Sequence, residues 1–411
     1  MNTKDTLEGA MKFPSGWKYV QLGYISNVGT GSADLQDAKP DGYYPFFVRS
    51  EKVVNIDYFT HDTEAVLTAG DGNVGDIFHH VKDKFAAHQR VYVIEPGRQL
   101  TGRYLYYAMQ AMFKESLKGN TAKSTVESLR RPMITSFQIP LPPIAEQKII
   151  TAFLDQETAE IDEMIQDFQR LMTLLRERMQ SLVDSTFSDV LGGSSKMKYL
   201  ISGLETGTSV SSAKFEPRQG EPGILATSAV YSEEFDRSAV KSVDEGEIPR
   251  LTCAIRENTL LMSRMNTPGL VGKAVTVDRD VPNVYLPDRL WQIDLAVPRY
   301  LYWWTRSNVY RDEVQLLAVG ASSSMKTLSQ QDFMSMKVPI PNVDTQERVA
   351  MSLDAQQAYL RENRSNTLQA IALINERRAA LISAAVTGQI DVTEKRKSVA
   401  EVLEDEVGIR V

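Results

Sequence analysis

Apolar residues recur at alternating spacings of four and three along one long stretch of the chain. They are Ile161, Ile165, Phe168, Met172, Leu175, Met179 and Leu182. This spacing keeps apolar side chains on one stripe of a helix and is typical of the seam of a coiled coil. The pattern predicts a helix from about Ala145 to Phe187, on the order of 60 Å long at 1.5 Å per residue. A proline-rich turn at 140–143 precedes it, and Gly192–Ser195 is expected to end it.

The same stripe recurs in weaker form towards the C-terminus. Leu360, Ile371, Ile374 and Leu381 occupy matching positions, whereas Arg364, Thr367 and Arg378 interrupt the stripe, and Gly388 predicts the end of this helix. Two long helices that each carry one apolar stripe bury those stripes most simply against each other. Because each helix follows a similar globular segment, we expect the two to pair in antiparallel fashion.

The chain is a tandem repeat with an offset of 199 residues. Ile139–Ile144 aligns with Val338–Val343, and the match then continues without a gap to Leu182 and Leu381. Upstream, with a small shift, Arg103–Tyr106 recurs as Arg299–Tyr302. Self-similarity at this scale indicates that each half is a globular domain followed by a helix.

The globular segments are predicted to be mixed α and β. Pro45–Val48, Val91–Ile94 and Val275–Val277 read as strands, and Arg103–Leu117 and Arg299–Leu316 as helices. The expected fold is α+β: two globular mixed α/β domains separated by two long antiparallel coiled-coil-like helices in a pseudo-twofold repeat. The expected boundaries are 1–140, 141–195, 196–340 and 341–393, with a charged tail at 394–411.

Composition and charge narrow the class of protein. The chain has 411 residues, of which 42% are hydrophobic and 24% charged, and it contains one cysteine, Cys253, so no internal disulfide framework is expected. Neither a membrane-spanning apolar run nor a secretory signal is visible, so we expect a cytoplasmic protein without a membrane partner. The net charge of −7 argues against DNA binding. However, residues 141–195 hold 4 Lys+Arg against 10 Asp+Glu, while the two globular segments are close to neutral. The argument from net charge therefore does not exclude DNA binding by the globular segments.

Motifs for catalysis or metal binding are not apparent in the sequence. There is no P-loop and no H-E-x-x-H pattern, and no nucleophile or paired-carboxylate arrangement repeats in both halves. The histidines, His61, His79, His80 and His88, all lie in the first half, where solvated or DNA-facing roles are favoured over metal ligation. We therefore expect a non-catalytic binding protein with no metal site.

Two polar loops at corresponding places suggest what is bound. Residues 118–124 carry two lysines, two hydroxyls and an amide around a glycine, and residues 320–327 carry three serines, a threonine and a lysine after a glycine. These are side chains that contact base edges and phosphates. The residues predicted to face DNA are Arg49, Ser50, His88, Gln89, Arg90, Lys118, Asn120, Thr121, Lys123, Ser124, Thr227, Ser228, Arg264, Asn266, Lys273, Arg289, Ser322, Ser323, Ser324 and Lys326.

Two motifs carry a resemblance to a known family. Pro140–Lys148, running into Phe153-Leu154-Asp155 and a long helix, resembles the conserved region of type I restriction-modification specificity subunits. Arg377–Asp391 is similar to the conserved C-terminal end of that family, and each polar loop before an I-P-x-P turn is similar to the end of a target-recognition domain. One departure is that Asn342–Gln346 replaces the usual P-L-x-E-Q.

The resemblance implies a function for each part. Each domain would read one half of a bipartite double-stranded DNA site, and the helices would set the gap between the halves and dock two methyltransferase subunits. Those partners would hold S-adenosylmethionine, and recruited restriction subunits would use ATP and Mg²⁺, so no cofactor is expected in this chain. The residues predicted to contact partners are Glu146, Gln147, Glu157, Glu160, Glu163, Gln346, Arg361 and Arg377.

Two other hypotheses remain open on the residues alone. The acidic net charge suits a coiled-coil scaffold that joins two protein-binding domains and does not bind nucleic acid. An enzyme with an unrecognised active site is a third hypothesis. Salt-sensitive, sequence-dependent binding to duplex DNA would reject the scaffold, because phosphate contacts weaken steeply with salt.

Overall fold

The computed structural model describes residues 14–118, 128–188, 193–212, 215–322 and 324–392. It divides into two units, the first formed by 1–168 with 368–411 and the second by 169–367. Each unit thus contains one globular domain and one end of each long helix. Within the described ranges, no helix is long and apolar enough to cross a bilayer.

The domain of the first unit is built on a six-stranded sheet and a two-stranded ribbon. Its strands are β1 (Lys18–Gln21), β2 (Ser26–Thr30), β3 (Tyr44–Phe47), β4 (Val54–Ile56), β5 (His61–Ala69), β6 (Phe78–Ala87), β7 (Val91–Pro96) and β8 (Gln138–Leu141). The sheet order is β2-β7-β5-β6-β3-β4, and only β3 and β6 pair in parallel. β1 pairs antiparallel with β8, so both ends of the domain meet just before the first long helix.

Helices pack against this sheet through aromatic residues. The helices are α1 (Gly102–Ala108), a π-helical turn (Met109–Phe113), α2 (Lys114–Lys118), α3 (Arg131–Thr135) and α4 (Ile144–Ser188), with 3₁₀ turns at Leu22–Tyr24 and Leu35–Asp37. Tyr104, Tyr107 and Phe113 are buried in one core with Val66 and Ile94 of the sheet. The helix predicted over 103–117 is confirmed, with a π-helical turn in its middle.

The domain of the second unit has more and shorter strands. They are β9 (Ser194–Lys196), β10 (Ile201–Thr206), β11 (Gly223–Leu225), β12 (Val240–Ser242), β13 (Thr259–Ser263), β14 (Met265–Asn266), β15 (Ala274–Val277), β16 (Val284–Tyr285), β17 (Leu290–Leu295), β18 (Val319–Ser322), β19 (Met325–Thr327) and β20 (Lys337–Pro339). The helices are α5 (Pro298–Trp304), α6 (Asn308–Leu317), α7 (Gln330–Ser335) and α8 (Val343–Val386), with 3₁₀ turns at Met197–Tyr199, Thr227–Val230 and Glu245–Arg250.

The two domains share one strand topology. The second contains β10-β17-β13-β15 and β12-β11-β16, which reproduces the order of the first domain if β15 and β16 together replace the long strand β6. The parallel pair β11–β16 then matches the parallel pair β3–β6. β9 pairs antiparallel with β20, as β1 does with β8. The predicted repeat is therefore confirmed at the level of the fold.

The two long helices are confirmed close to their predicted bounds, at 45 and 44 residues. In the first unit, Ile150 and Leu154 near the start of α4 share a core with Ile382 and Val386 at the end of α8. In the second unit, Val183 and Phe187 at the end of α4 share a core with Leu353 near the start of α8. Opposite helix ends meet in each unit, as an antiparallel pair requires.

The apolar stripe of α4 is less continuous than its spacing predicts. Ile161 is buried, but Ile165 and Met172 are half-buried and Leu182 is 36% exposed, while its neighbour Val183 is buried. An α-helix drifts by about 20° per heptad from a strict 3.5-residue repeat, so the buried stripe moves from one position to the next.

Candidate nucleic-acid interface

In the first unit, two of the predicted DNA-contacting arginines are held by one carboxylate. Arg49 Nη1 donates to Asp71 Oδ1 at 2.7 Å, and Arg90 Nη1 donates to Asp71 Oδ2 at 3.0 Å. The hydrogen bond from Arg49, with a further one from Arg90, holds the pKa of Asp71 below its ordinary value. The Arg49 and Arg90 side chains remain 45% and 60% exposed, so each presents unused N–H donors to solvent.

The three residues of this arginine cluster (Arg49, Asp71 and Arg90) come from three different loops. Arg49 follows β3, Asp71 follows β5, and Arg90 lies in the turn between β6 and β7. Ser50 is exposed beside Arg49, and its carbonyl lies 3.2 Å from His79 Nε2. The fold thus brings together side chains that are far apart in the sequence.

The turn that carries Arg90 is supported by His88, and this corrects one prediction. His88 is 7% exposed, and its Nδ1 accepts a hydrogen bond from the Arg90 backbone N–H at 3.0 Å. Burial lowers the pKa of His88, which favours the neutral ring. His88 is therefore buried inside the turn and does not face DNA, whereas Gln89 is exposed and donates to Asp34 at 3.0 Å.

The residues that follow the first polar loop lie beside the arginine cluster. Lys118 is the last residue of α2, and Asn120, Thr121, Lys123 and Ser124 lie outside the described residues. On the far side of the loop, Ser128 forms an isolated β-bridge with Asp71, and the Leu129 N–H donates to the Gly70 carbonyl at 2.7 Å. The flank of the predicted loop is therefore adjacent to the arginine cluster.

In the second unit, the corresponding loop forms a small sheet. β19 pairs with β18 and with β14, which places Lys326 opposite Asn266. Ser322 ends β18, Ser323 lies outside the described residues, and Ser324 and Lys326 are at least partly exposed. Arg264 and the exposed Arg289 are joined by a backbone hydrogen bond of 3.0 Å. These predicted residues therefore adjoin one another along β14 and β19.

Asn266 corrects a second prediction. It is 9% exposed, and its Nδ2 donates to the Tyr231 hydroxyl at 2.6 Å and to Ser263 Oγ at 3.1 Å. Tyr231 in turn donates to Thr227 Oγ1 at 2.9 Å, while Ser228 and Lys273 remain exposed. The Asn266 amide is thus committed to holding two loops together and is not free to read a base.

The two glutamines predicted to contact a partner are buried at the start of the long helices. Gln147 is fully buried, and its amide donates to the Pro142 carbonyl and accepts from the Thr101 N–H, both at 2.9 Å. Gln346, 4% exposed, donates to the Pro341 carbonyl at 2.8 Å. These contacts correct the prediction: both glutamines stabilise the proline turn between domain and helix.

An arginine–aspartate clamp joins each domain to a long helix, and the sequence analysis did not predict it. Arg103 Nε donates to Asp155 Oδ1 of α4, and Arg299 Nε donates to Asp354 Oδ1 of α8, both at 2.6 Å. In each case an aromatic residue four positions after the arginine donates to the same oxygen: the Tyr107 hydroxyl at 2.7 Å and Trp303 Nε1 at 2.8 Å. Both arginines and both aspartates lie within the repeat, which is the signal that could have identified them.

The remaining partner-contact predictions fall into two groups. Glu160, Glu163 and Arg377 are exposed, and Glu157 is half-buried, so a helix face is available to a partner. Two residues already have contacts inside their own unit. Glu146 accepts a hydrogen bond from Trp17 at 2.9 Å, and Arg361 pairs with Glu233 at 3.1 Å and also with Glu234.

Comparisons with known proteins agree with this architecture. Residues 14–167 match the type I restriction modification DNA specificity domain. The chain is 34% identical to the Escherichia coli EcoDI specificity subunit over 42% of this chain and 38% of that protein, and 22% identical to the EcoKI subunit of E. coli K12 over 72% and 68%. The alignment with the EcoDI subunit therefore spans about two fifths of that relative's length.

Two solved structures show the same fold. One, from work on complex assembly and conformational transition of the type I R-M system, has a TM-score of 0.69 at 15% identity and covers 92% of this chain and 100% of that chain. The other, the HsdS subunit of Thermoanaerobacter tengcongensis, has a TM-score of 0.54 at 14% identity and covers 93% and 100%. The resemblance to type I specificity subunits that the sequence motifs indicated is confirmed.

Proposed function

We propose that this chain, a relative of type I restriction-modification specificity subunits, is the non-catalytic sequence-recognition subunit of such a system. Each domain reads one half of a bipartite DNA site, and the paired helices set the gap. The observation that carries the proposal is the duplication: one strand topology occurs twice, and each copy has exposed cationic side chains beside a polar loop at the same place in the chain. A target with two recognised patches at a fixed spacing suits such a molecule.

The partners follow from the same proposal. Two methyltransferase subunits dock on the helices and hold S-adenosylmethionine, and restriction subunits supply ATP and Mg²⁺ chemistry. The exposed acidic residues Glu160 and Glu163 of α4 suit a protein surface with basic residues better than a phosphate backbone. Adenine methylation within a duplex requires the partner to flip the base out of the helix.

The decisive experiment maps methylated adenines in host DNA after the full chain is co-expressed with its methyltransferase subunit. We expect methylation at one bipartite sequence with a constant gap, and none with either protein alone. Methylation without a constant gap would contradict the reading of two half-sites. If the chain, alone or in the complex, does not change the gel mobility of any duplex DNA at low salt, the protein-binding scaffold becomes the better description.

A further inference from the structure

A cavity of about 590 Å³ opens in the second unit between α4 and the globular domain. Arg176 and Val183 of α4 line one side, and Lys273, Arg306 and Arg311 line the other. Cavities of roughly 300–1,000 Å³ are large enough to hold a ligand or an inserted side chain. Of the residues predicted above to face DNA, Lys273 lines this cavity, and no role has been assigned to its other lining residues.

Arg306 is the distinctive residue of the cavity. Its guanidinium stacks on Tyr302, with Cζ 3.5 Å from the ring centre, and its Nη1 donates to the Ala274 carbonyl at 3.3 Å. Within the described residues, no carboxylate forms a salt bridge with it. Burial lowers its pKa from the ordinary arginine value. Burial removes hydration from this cation, and the stacking on Tyr302 and the hydrogen bonds to carbonyl groups compensate for that loss less well than an anion would.

The surroundings of Arg306 are also positively charged. Arg176, Lys273 and Arg311 line the same cavity, where the acidic residue is Glu233. The Glu233 carboxylate is already engaged, accepting hydrogen bonds from Arg361 and Gln357 at 3.1 Å each. The unmatched charge in the cavity is therefore cationic, and its ligand must be an anion.

We propose that the cavity receives an acidic side chain, aspartate or glutamate, of the docked methyltransferase subunit, whose carboxylate pairs with Arg306. The proposal rests on the proposed function, since it takes that subunit as the partner. A carboxylate suits the planar donor fork of arginine. Apolar residues such as Met179 and Val183 also line the space, and this favours a protein side chain over a phosphate, which a DNA duplex presents on its outer surface.

The first half of the chain supplies a natural replacement for the test. Gln110 lies four residues after Tyr106, as Arg306 lies four residues after Tyr302, and Gln110 Nε2 donates to the Tyr106 hydroxyl at 2.9 Å. Arg306→Gln therefore gives the second half the neutral residue that the first half already holds. The cationic site is particular to the second unit.

The experiment titrates the full chain with the purified methyltransferase subunit and measures the dissociation constant by calorimetry. Because truncation of a buried charge pair costs about 2 kcal/mol or more, we expect Arg306→Gln to weaken assembly by roughly thirtyfold or more. Arg306→Lys keeps the charge and is expected to recover part of the affinity. Arg218→Gln, at an exposed arginine outside the cavity, is the matched control and should assemble as the unmodified chain does.

A second variant guards against a folding defect in Arg306→Gln. Arg176→Gln with Arg311→Gln removes two exposed cations from the cavity and leaves the packing of Arg306 intact, so weaker assembly here supports the proposal independently. Assembly unchanged in this double variant and in a folded Arg306→Gln chain would overturn it. So would normal assembly with weakened duplex binding, because the occupant would then be a phosphate. Failure of the proposed function would appear separately, as the absence of gapped methylation with the unmodified complex.

Discussion

Asp71 determines how two arginines of the first domain are presented. It binds Arg49 and Arg90 from different loops, and both guanidinium groups retain exposed donors. We expect Asp71→Asn to lower the preference for the recognised sequence by about 1–3 kcal/mol, the range for one base contact. Affinity for unrelated duplexes should rise, because a negative charge beside the phosphates is removed. Competition binding of the assembled complex with recognised and scrambled duplexes measures both effects.

The matched control is Asp57→Asn, which neutralises an exposed carboxylate of the same domain that pairs with Lys39. It should leave the sequence preference unchanged. Equal weakening of all duplexes by Asp71→Asn would contradict a role in orienting base-reading arginines.

The sequence predicted Arg49 and Arg90 individually but did not identify Asp71. Residue type and loop position indicate which side chains are able to contact DNA, whereas their partners depend on how three distant loops meet. The predictions that His88 and Asn266 face DNA were wrong for the same reason. Both are polar residues in turn-like segments, yet the fold buries them and uses their side chains to hold neighbouring loops.

At the scale of elements, each long helix is fastened to its domain by an arginine–aspartate clamp. We expect Asp155→Ala and Asp354→Ala each to lower the free energy of unfolding by about 1–2 kcal/mol, because Arg103 or Arg299 loses its anionic partner at a half-exposed site. Urea denaturation followed by circular dichroism measures the loss. Asp167→Ala, at an exposed residue of α4, is the control; equal stability of all three variants would argue against the clamp.

The long periodic helices and the apolar strands at 45–48, 91–94 and 275–277 were predictable, whereas the short polar strands of the second domain were not. The bounds of α4 and α8 follow from spacing and from Gly388, whose φ of +70° suits a helix end. Arg378 interrupts the apolar stripe of α8, but it donates to Asp162 of α4 at 2.6 Å. The sheet β14-β19-β18 has strands of two to four residues, and such strands are specified by pairing partners distant in the sequence.

At the scale of the whole molecule, the repeat implies that a second copy of the first half can take the place of the second half. In the first unit, Ile150 and Leu154 pack in one core with Ile382 and Val386. With the repeat offset of 199 residues, the positions equivalent to Ile382 and Val386 are Val183 and Phe187, which are also apolar. A fragment of residues 1–188 therefore carries both sides of the same helix contact.

We expect this fragment to form a symmetric dimer, because each copy supplies the apolar helix end that the other lacks. Light scattering should give twice the mass of the fragment, and Phe187→Asp should lower it towards that of one copy by placing a charge in the contact. A folded, stable monomer would contradict the equivalence of the two halves. Because both domains of the dimer are identical, it should prefer a DNA site with one half-site repeated in inverted order, whereas the proposed function of the full chain requires two different half-sites.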